Sequence, residues 1–177
     1  MREYKLRPIM IKDLHLLLQW RNSERIHSMM LTDHKITWKE HLTWFHRIET
    51  DTIKRNFVFE YRGCPIGYVG YTEYDSKRRV CSPGAYLGEI NVPIDAGIYL
   101  FYMTLEYAFS ELNMCRVETS IFKRNKKARR INEIFGYKVI PGIQLNYMKH
   151  GKREIVIRIA MTKAEWNTNK HVINLEG

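Results

Sequence analysis

The chain has 177 residues, 45% hydrophobic and 27% charged, the make-up of one ordinary globular domain with room for a sizeable core. Its 29 Lys and Arg against 19 Asp and Glu leave a net charge of +10. That charge favours an anionic partner: a phosphorylated cofactor, a nucleotide-linked substrate or nucleic acid. No apolar run reaches the roughly 18 residues that span a bilayer, and Met1-Arg2-Glu3-Tyr4-Lys5-Leu6 lacks the apolar core of a signal peptide. Cys64, Cys81 and Cys115 are too far apart to suggest a disulfide framework or a zinc site. A cytoplasmic setting, no membrane and no metal are therefore expected.

In chain order, Tyr4 and Leu6 alternate with charged residues, which suits a first strand ended by Pro8. Leu14, Leu17 and Leu18 then fall at helical spacing within Ile11 to Met30, a segment that contains Trp20-Arg21-Asn22. Thr37-Trp38-Lys39-Glu40 forms a capping box. Its helix carries Trp38, Leu42, Phe45 and Ile48 on one stripe, and His41 is expected off that stripe, at the surface. Residues 56–61 and 65–74 read as a hairpin turned at Arg62-Gly63-Cys64. A polar, basic loop follows to Gly84, and the next strand is expected over Ala85–Val92.

Ile98 to Leu112 is the clearest helix, with Phe101, Leu105, Ala108, Phe109 and Leu112 on one face. Cys115 to Phe122 is β-branched and alternating. Asn125 to Phe135 reads as a short helix closed by Gly136. A hairpin over 143–148 and 154–161 completes a single domain, residues 1–162, and residues 163–177 read as a loosely held polar tail. The order β-α-α-β-β-β-α-β-α-β-β calls for a mixed sheet with helices on both faces.

Two strand-to-helix turns stand out. One is Asn91 to Gly97. The other is Lys123-Arg124-Asn125-Lys126-Lys127, in the densest basic run of the chain. Helix N-termini present free N–H groups and a positive dipole end, so both turns suit an anion. The other Lys and Arg residues are spread along the chain, which argues against a dedicated nucleic-acid stripe.

Three local patterns carry a family resemblance. Val92-Pro93 leads into Ala96-Gly97 at a helix start. Asn125-Lys126-Lys127-Ala128 is followed by Glu133-Ile134-Phe135-Gly136-Tyr137. Trp20-Arg21-Asn22 precedes a helix bearing His41 and Trp44. Together they resemble the GCN5-related N-acetyltransferase (GNAT) superfamily, in the branch of ribosomal-protein and pseudaminic-acid-pathway amino-sugar acetyltransferases. That resemblance implies an α/β fold, a mixed α+β sheet of about seven mostly antiparallel strands with helices on both faces. It also implies acetyl-CoA as co-substrate. Ile90 and Val92 would meet its pantetheine arm, the amides of Ala96, Gly97 and Ile98 its pyrophosphate, and Asn125 and Lys126 or Lys127 its remaining polar groups.

The chain also departs from the family pattern. Asp95 stands where a glycine is usual, and N-capping is the role expected for it. Asn132 stands where many members carry the tyrosine that protonates the thiolate. Tyr86 stands at the position of a frequent glutamate base. Glu89 lies close by, although strand alternation turns it to the other face unless a bulge intervenes. The catalytic candidates are Tyr86, Glu89 and His41, and Arg21, Asn22 and Glu73 are candidates for the acceptor cleft. Arg78 and Arg79 are further candidates for phosphate contact.

The expected activity is direct transfer of acetyl to a primary amine in a ternary complex. The favoured acceptor is a small nucleotide-linked amino sugar. Protein N-terminal or polyamine acetylation, and a non-catalytic GNAT-fold binding role, are the alternatives. A homodimer is left open.

Overall fold

The computed structural model describes residues 3–171. They form β1 (Tyr4–Pro8), α1 (Leu14–Asn22), α2 (Glu24–His27), α3 (Trp38–Glu49), β2 (Asn56–Tyr61), β3 (Cys64–Asp75), β4 (Val80–Leu87), α4 (Ala96–Glu106), β5 (Arg116–Phe122), α5 (Lys126–Phe135), β6 (Lys138–Lys149), β7 (Lys152–Thr162) and α6 (Lys163–Asn169). Hydrogen-bonded strands follow the order β1-β2-β3-β4-β5-β7-β6 in one seven-stranded sheet. The pairing is antiparallel for β1–β2, β2–β3, β5–β7 and β6–β7 and parallel for β4–β5. This is the expected mixed, mostly antiparallel α/β fold. Among the described residues no helix is long and apolar enough to cross a membrane.

The chain divides into two compact units, residues 1–70 with 85–100 and residues 71–84 with 101–177. In the first unit both faces of β2 are covered, so four successive residues, Phe57 to Glu60, are buried. Val58 belongs to a cluster with Leu17, Trp20 and Ile26, flanked by Trp44, Tyr68 and Tyr86. Phe59 is stacked on Tyr4 with ring centroids 5.4 Å apart, and Tyr4 lies 4.6 Å from Tyr99 of α4. Arg7 grips Asp13 through both terminal nitrogens, at 2.7 and 2.9 Å, and Glu60 through Nε at 2.6 Å, so the buried carboxylates are paired.

The long first helix expected from Ile11 to Met30 is broken at Ser23, whose backbone is extended (ψ 143°) and whose hydroxyl donates to the Trp20 carbonyl. The capping box before α3 is present as read: Thr37 accepts from the Glu40 amide, and Glu40 accepts from the Thr37 amide. The buried stripe of α3 is His41 and Phe45, whereas Trp38 is 41% exposed and stacks on His15. His41 is thus a core residue and not the surface residue expected.

In the second unit β5 pairs with β7 along its whole length. α4 continues as a π turn over Tyr107–Glu111. Gly136 closes α5 in the left-handed region (φ 95°), and a Cβ there would lie 1.8 Å from Asn169 Nδ2. Two boundary expectations are overturned. β4 starts at Val80, inside the expected basic loop, and ends at Leu87, so residues 88–92 lie outside the sheet. The expected tail folds as α6, capped by Thr162 and Glu165, with a fully buried Trp166 against Tyr102, Phe109 and Phe135. Residues 172–177 of that expectation lie outside the described residues.

Candidate active site

The end of β4 departs from regular strand geometry. The amides of Gly88 and Glu89 both donate to the carbonyl of Ile66, at 2.8 and 3.2 Å. Two consecutive donors on one acceptor mark a bulge. It cancels one step of alternation, so Glu89 returns to the side of Tyr86. There the Trp20 indole donates to the Glu89 carboxylate at 3.0 Å. Glycine is required on both strands of this contact. A Cβ on Gly88 would lie 2.0 Å from Trp20 Cδ2, and one on Gly67 would lie 2.7 Å from the Tyr86 carbonyl oxygen.

Tyr86 is stacked on Tyr68 at 5.3 Å, and Trp44 meets Tyr68 edge-on at 6.3 Å. Burial pushes the Tyr86 phenol well above its ordinary pKa. It therefore stays protonated at neutral pH and is a hydrogen-bond donor rather than a base. Arg21 reaches this group from the last turn of α1. Its Nη2 donates to Thr32 at 3.2 Å, while its Nη1 is buried with no hydrogen-bond partner. Burial pulls the Arg21 pKa down, against the favourable influence of the Tyr86 and Tyr68 hydroxyls.

His41 stacks on Trp44 at 5.0 Å. Burial lowers its pKa, a bond to the Leu14 backbone opposes this, and its Nε2 is buried without a partner. A neutral, enclosed imidazole of this kind packs the α1–α3 contact. Asn22 is likewise structural. Its side chain donates to the Ile36 carbonyl and accepts from the Ile36 amide, both at 2.8 Å. That pair pins the loop before α3.

The start of α4 is built on Asp95. Its carbonyl accepts from Ile98 and Tyr99, so it holds the N-cap position. Its carboxylate accepts a 2.6 Å hydrogen bond from the Tyr4 hydroxyl. Of the three amides expected at the pyrophosphate, that of Ala96 is given to Pro93 and that of Ile98 to Asp95. Ile90, Ile94 and Ile98 of this loop and helix start are all exposed, Ile94 completely. Val92 is half-buried between them. An exposed apolar loop leading to a helix N-terminus suits a ligand with an aliphatic arm and a phosphate end.

The remaining candidates are in the second unit. Asn125 caps α5, accepting from the Ala128 amide at 3.1 Å. Lys126 and Lys127 are exposed in its first turn. Asn132 is buried and donates to the Ala128 carbonyl at 2.7 Å. Its amide is thus engaged in the helix it sits on, and an amide supplies no acidic proton. Glu73 is paired with Arg158 at 2.8 Å, and Arg79 is bonded to Asn113 through Nε and Nη2. Among the described residues no group of His, Cys, Asp and Glu could hold a metal.

Tyr86, Glu89 and Arg21 are therefore brought to one aromatic cluster, while His41 and Asn22 serve packing and loop closure. Sequence reasoning did not single out Tyr68 or Arg25, nor the Trp20 indole as a partner of Glu89. The available signal was Gly88, a glycine opposite a helical tryptophan.

The acetyltransferase (GNAT) domain model matches residues 4–138. Acetyltransferase PseH of Campylobacter jejuni subsp. jejuni serotype O:23/36 (strain 81-176) is 27% identical over 120 residues, 68% of this chain and 73% of the relative. The fold is similar to that of spermidine N-acetyltransferase from Vibrio cholerae, solved in complex with CoA and spermine. The TM-score is 0.85 at 18% identity, over 94% of this chain and 99% of that one. A GCN5-related N-acetyltransferase from Brucella melitensis gives a TM-score of 0.76 at 18% identity, over 98% of this chain and 81% of that one.

Proposed function

Because the chain belongs to the GNAT acetyltransferase family, we propose that its acceptor is a primary amine on a nucleotide-linked amino sugar. The observation that carries this reading is Arg21, a cation with one terminal nitrogen buried and unpartnered among Tyr68, Tyr86 and Thr32. A half-buried cation with no carboxylate partner among the described residues is costly, and a phosphate oxygen of the acceptor would relieve it. The neighbouring aromatic faces suit a sugar or base ring. A polyamine carries positive charge, so it would add to the uncompensated charge of Arg21. The similarity to PseH goes with the resemblance of Trp20-Arg21-Asn22 to the amino-sugar branch.

Acetyl-CoA, once bound, supplies the activated thioester. In the first unit Ile90, Val92 and Ile98 are assigned to its aliphatic arm and Gly97, at the helix start, to its pyrophosphate, the amides of Ala96 and Ile98 being bonded to Pro93 and Asp95. Glu89 is the proton acceptor for the attacking amine, directly or through water, and the nitrogen keeps its new bond to the acetyl carbon as that proton leaves. Tyr86 is the donor that orients the acceptor. The thiolate leaves without a dedicated acid and takes its proton from solvent. The enzyme is placed in the cytoplasm with its acyl donor.

The test is thiol release from acetyl-CoA with three acceptors: a UDP-linked 4-amino sugar, an N-terminal peptide and spermidine. Turnover on the sugar nucleotide supports the reading. Preferred turnover on spermidine or on the peptide overturns it.

A further inference from the structure

The bulge at the end of β4 is held from outside the sheet. Arg25, on α2, donates from Nη1 to the Leu87 carbonyl at 3.0 Å and from Nη2 to the Gly88 carbonyl at 2.6 Å. In a regular strand successive carbonyls point to opposite edges, so one guanidinium does not reach both. Here two consecutive carbonyls turn to Arg25 while two consecutive amides, of Gly88 and Glu89, turn to the Ile66 carbonyl. The backbone is curled between a cation on one side and an acceptor on the other. The Trp20 indole, 3.0 Å from the Glu89 carboxylate, then fixes the side chain that the curl delivers. Trp20 itself is 5% exposed and packed against Leu17, Ile26 and Val58, so the indole cannot follow a straying carboxylate.

We infer that Trp20 and Arg25 are positioning residues for the acetyl transfer: Arg25 keeps the β4 exit curled, and Trp20 aims the Glu89 carboxylate that the curl turns toward it. Neither touches the reacting atoms. The inference rests on the assignment of Glu89 as proton acceptor. Both residues act through Glu89 and the bulge, so their loss lowers turnover while acetyl-CoA binding stays intact. A residue needed only for folding would lower the yield of folded protein and leave the turnover of the folded fraction unchanged. Lysine at 25 carries the charge but lacks the fork that spans two carbonyls.

The experiment compares the wild type with Arg25→Ala, Arg25→Lys, Trp20→Phe and Glu89→Gln. The first readout needs no acceptor: the ¹H–¹⁵N indole resonance of Trp20, assigned by its loss in Trp20→Phe. Glu89→Gln is expected to move it away from the charge-assisted position, and Arg25→Ala to move it the same way. The second readout is steady-state kinetics on the acceptor selected above, normalised to folded protein by circular dichroism. Arg25→Ala and Trp20→Phe are expected to lower kcat about 10- to 100-fold, with the KM for acetyl-CoA within about 2-fold of wild type. Arg25→Lys is expected to restore less than half of the kcat lost in Arg25→Ala.

An indole resonance unmoved by Arg25→Ala, with kcat unchanged, overturns the inference. Full kcat in Glu89→Gln overturns the assignment of Glu89 instead. If none of the three acceptors turns over, the acceptor reading has failed, and the indole resonance still decides whether Arg25 holds Glu89 in place.

Discussion

The hydroxyl of Tyr4, on the first strand, donates a 2.6 Å hydrogen bond to the carboxylate of Asp95, the residue that opens α4. The contact joins residues 91 positions apart and accounts for an acidic group at a helix start assigned to an anion. Burial and the Asp95 carboxylate together raise the Tyr4 phenol pKa far above its ordinary value, so the donor is permanent. Asp95→Asn removes the negative charge and keeps an acceptor for Tyr4. It should tighten acetyl-CoA binding about 3- to 10-fold by calorimetry. Tyr4→Phe releases the carboxylate, costs about 1 kcal/mol of stability, and should weaken acetyl-CoA binding.

Two glycines separate fold from function. Gly97 has open space, since a Cβ there meets only Leu87 Cδ1 at 4.0 Å. Gly97→Glu should fold normally by urea denaturation and lose acetyl-CoA binding by at least about 10-fold, because a carboxylate would face the pyrophosphate. Gly88→Ala drives a methyl into Trp20 and should cost about 2–3 kcal/mol in the same denaturation. Retained acetyl-CoA binding in Gly97→Glu would put the pyrophosphate elsewhere.

Arg21 offers a case in which stability and activity move in opposite directions. Arg21 is half-buried, with one terminal nitrogen buried and unpartnered, so an apolar side chain of similar length removes a desolvation cost. Arg21→Met should melt no lower than the wild type and raise the acceptor KM about 10-fold or more, with the KM for acetyl-CoA unchanged. A lower melting temperature with unchanged acceptor KM would make Arg21 a structural residue only.

His41 makes stability depend on pH. Its pKa in the fold lies below the ordinary value of 6.5 through burial, with His15 adding repulsion. The folded state therefore holds the neutral ring, and the unfolded chain binds the proton first. Stability from this group is complete above about pH 6.5 and is lost as pH falls from there toward the depressed value. His41→Gln should flatten the fall in urea midpoint over that window. An unchanged slope would assign it to another group.

Much of the architecture could be read locally, because it rests on short-range chemistry. Thr37 with Glu40, Asn125 with Ala128 and Gly136 in the left-handed region are contacts within one helical turn, and sequence spacing reveals them. Thr162 and Glu165 have the same spacing and cap α6, but the burial of Trp166 that holds this helix comes from three rings remote in sequence, so the segment reads as a polar tail. The end of β4 departs from its side-chain pattern for a related reason. Ile90 and Val92 read as strand by their side chains, whereas Arg25 and Ile66 take the backbone groups that would extend the ladder. His41 is buried although a stripe drawn through Trp38 puts it at the surface, because Trp38 stacks on His15 and is 41% exposed rather than in the core. Tyr86 and Arg21 were readable as candidates, but the burial that distinguishes them comes from Tyr68 and Thr32, on separate elements.

Trp166 also bears on the order of folding. Its indole donates to Glu106 across 60 residues of chain, and its ring lies against Phe135, Phe109 and Tyr102. Contacts so distant in sequence close late, because the loop entropy is lost before the burial is gained. In vectorial synthesis the second unit reaches residue 135 with its aromatic core still open, and it stays open until α6 emerges. A pause or cleavage between residues 136 and 162 would leave that core exposed, so the nascent chain should engage a holding chaperone in this interval and release it once residue 166 has docked.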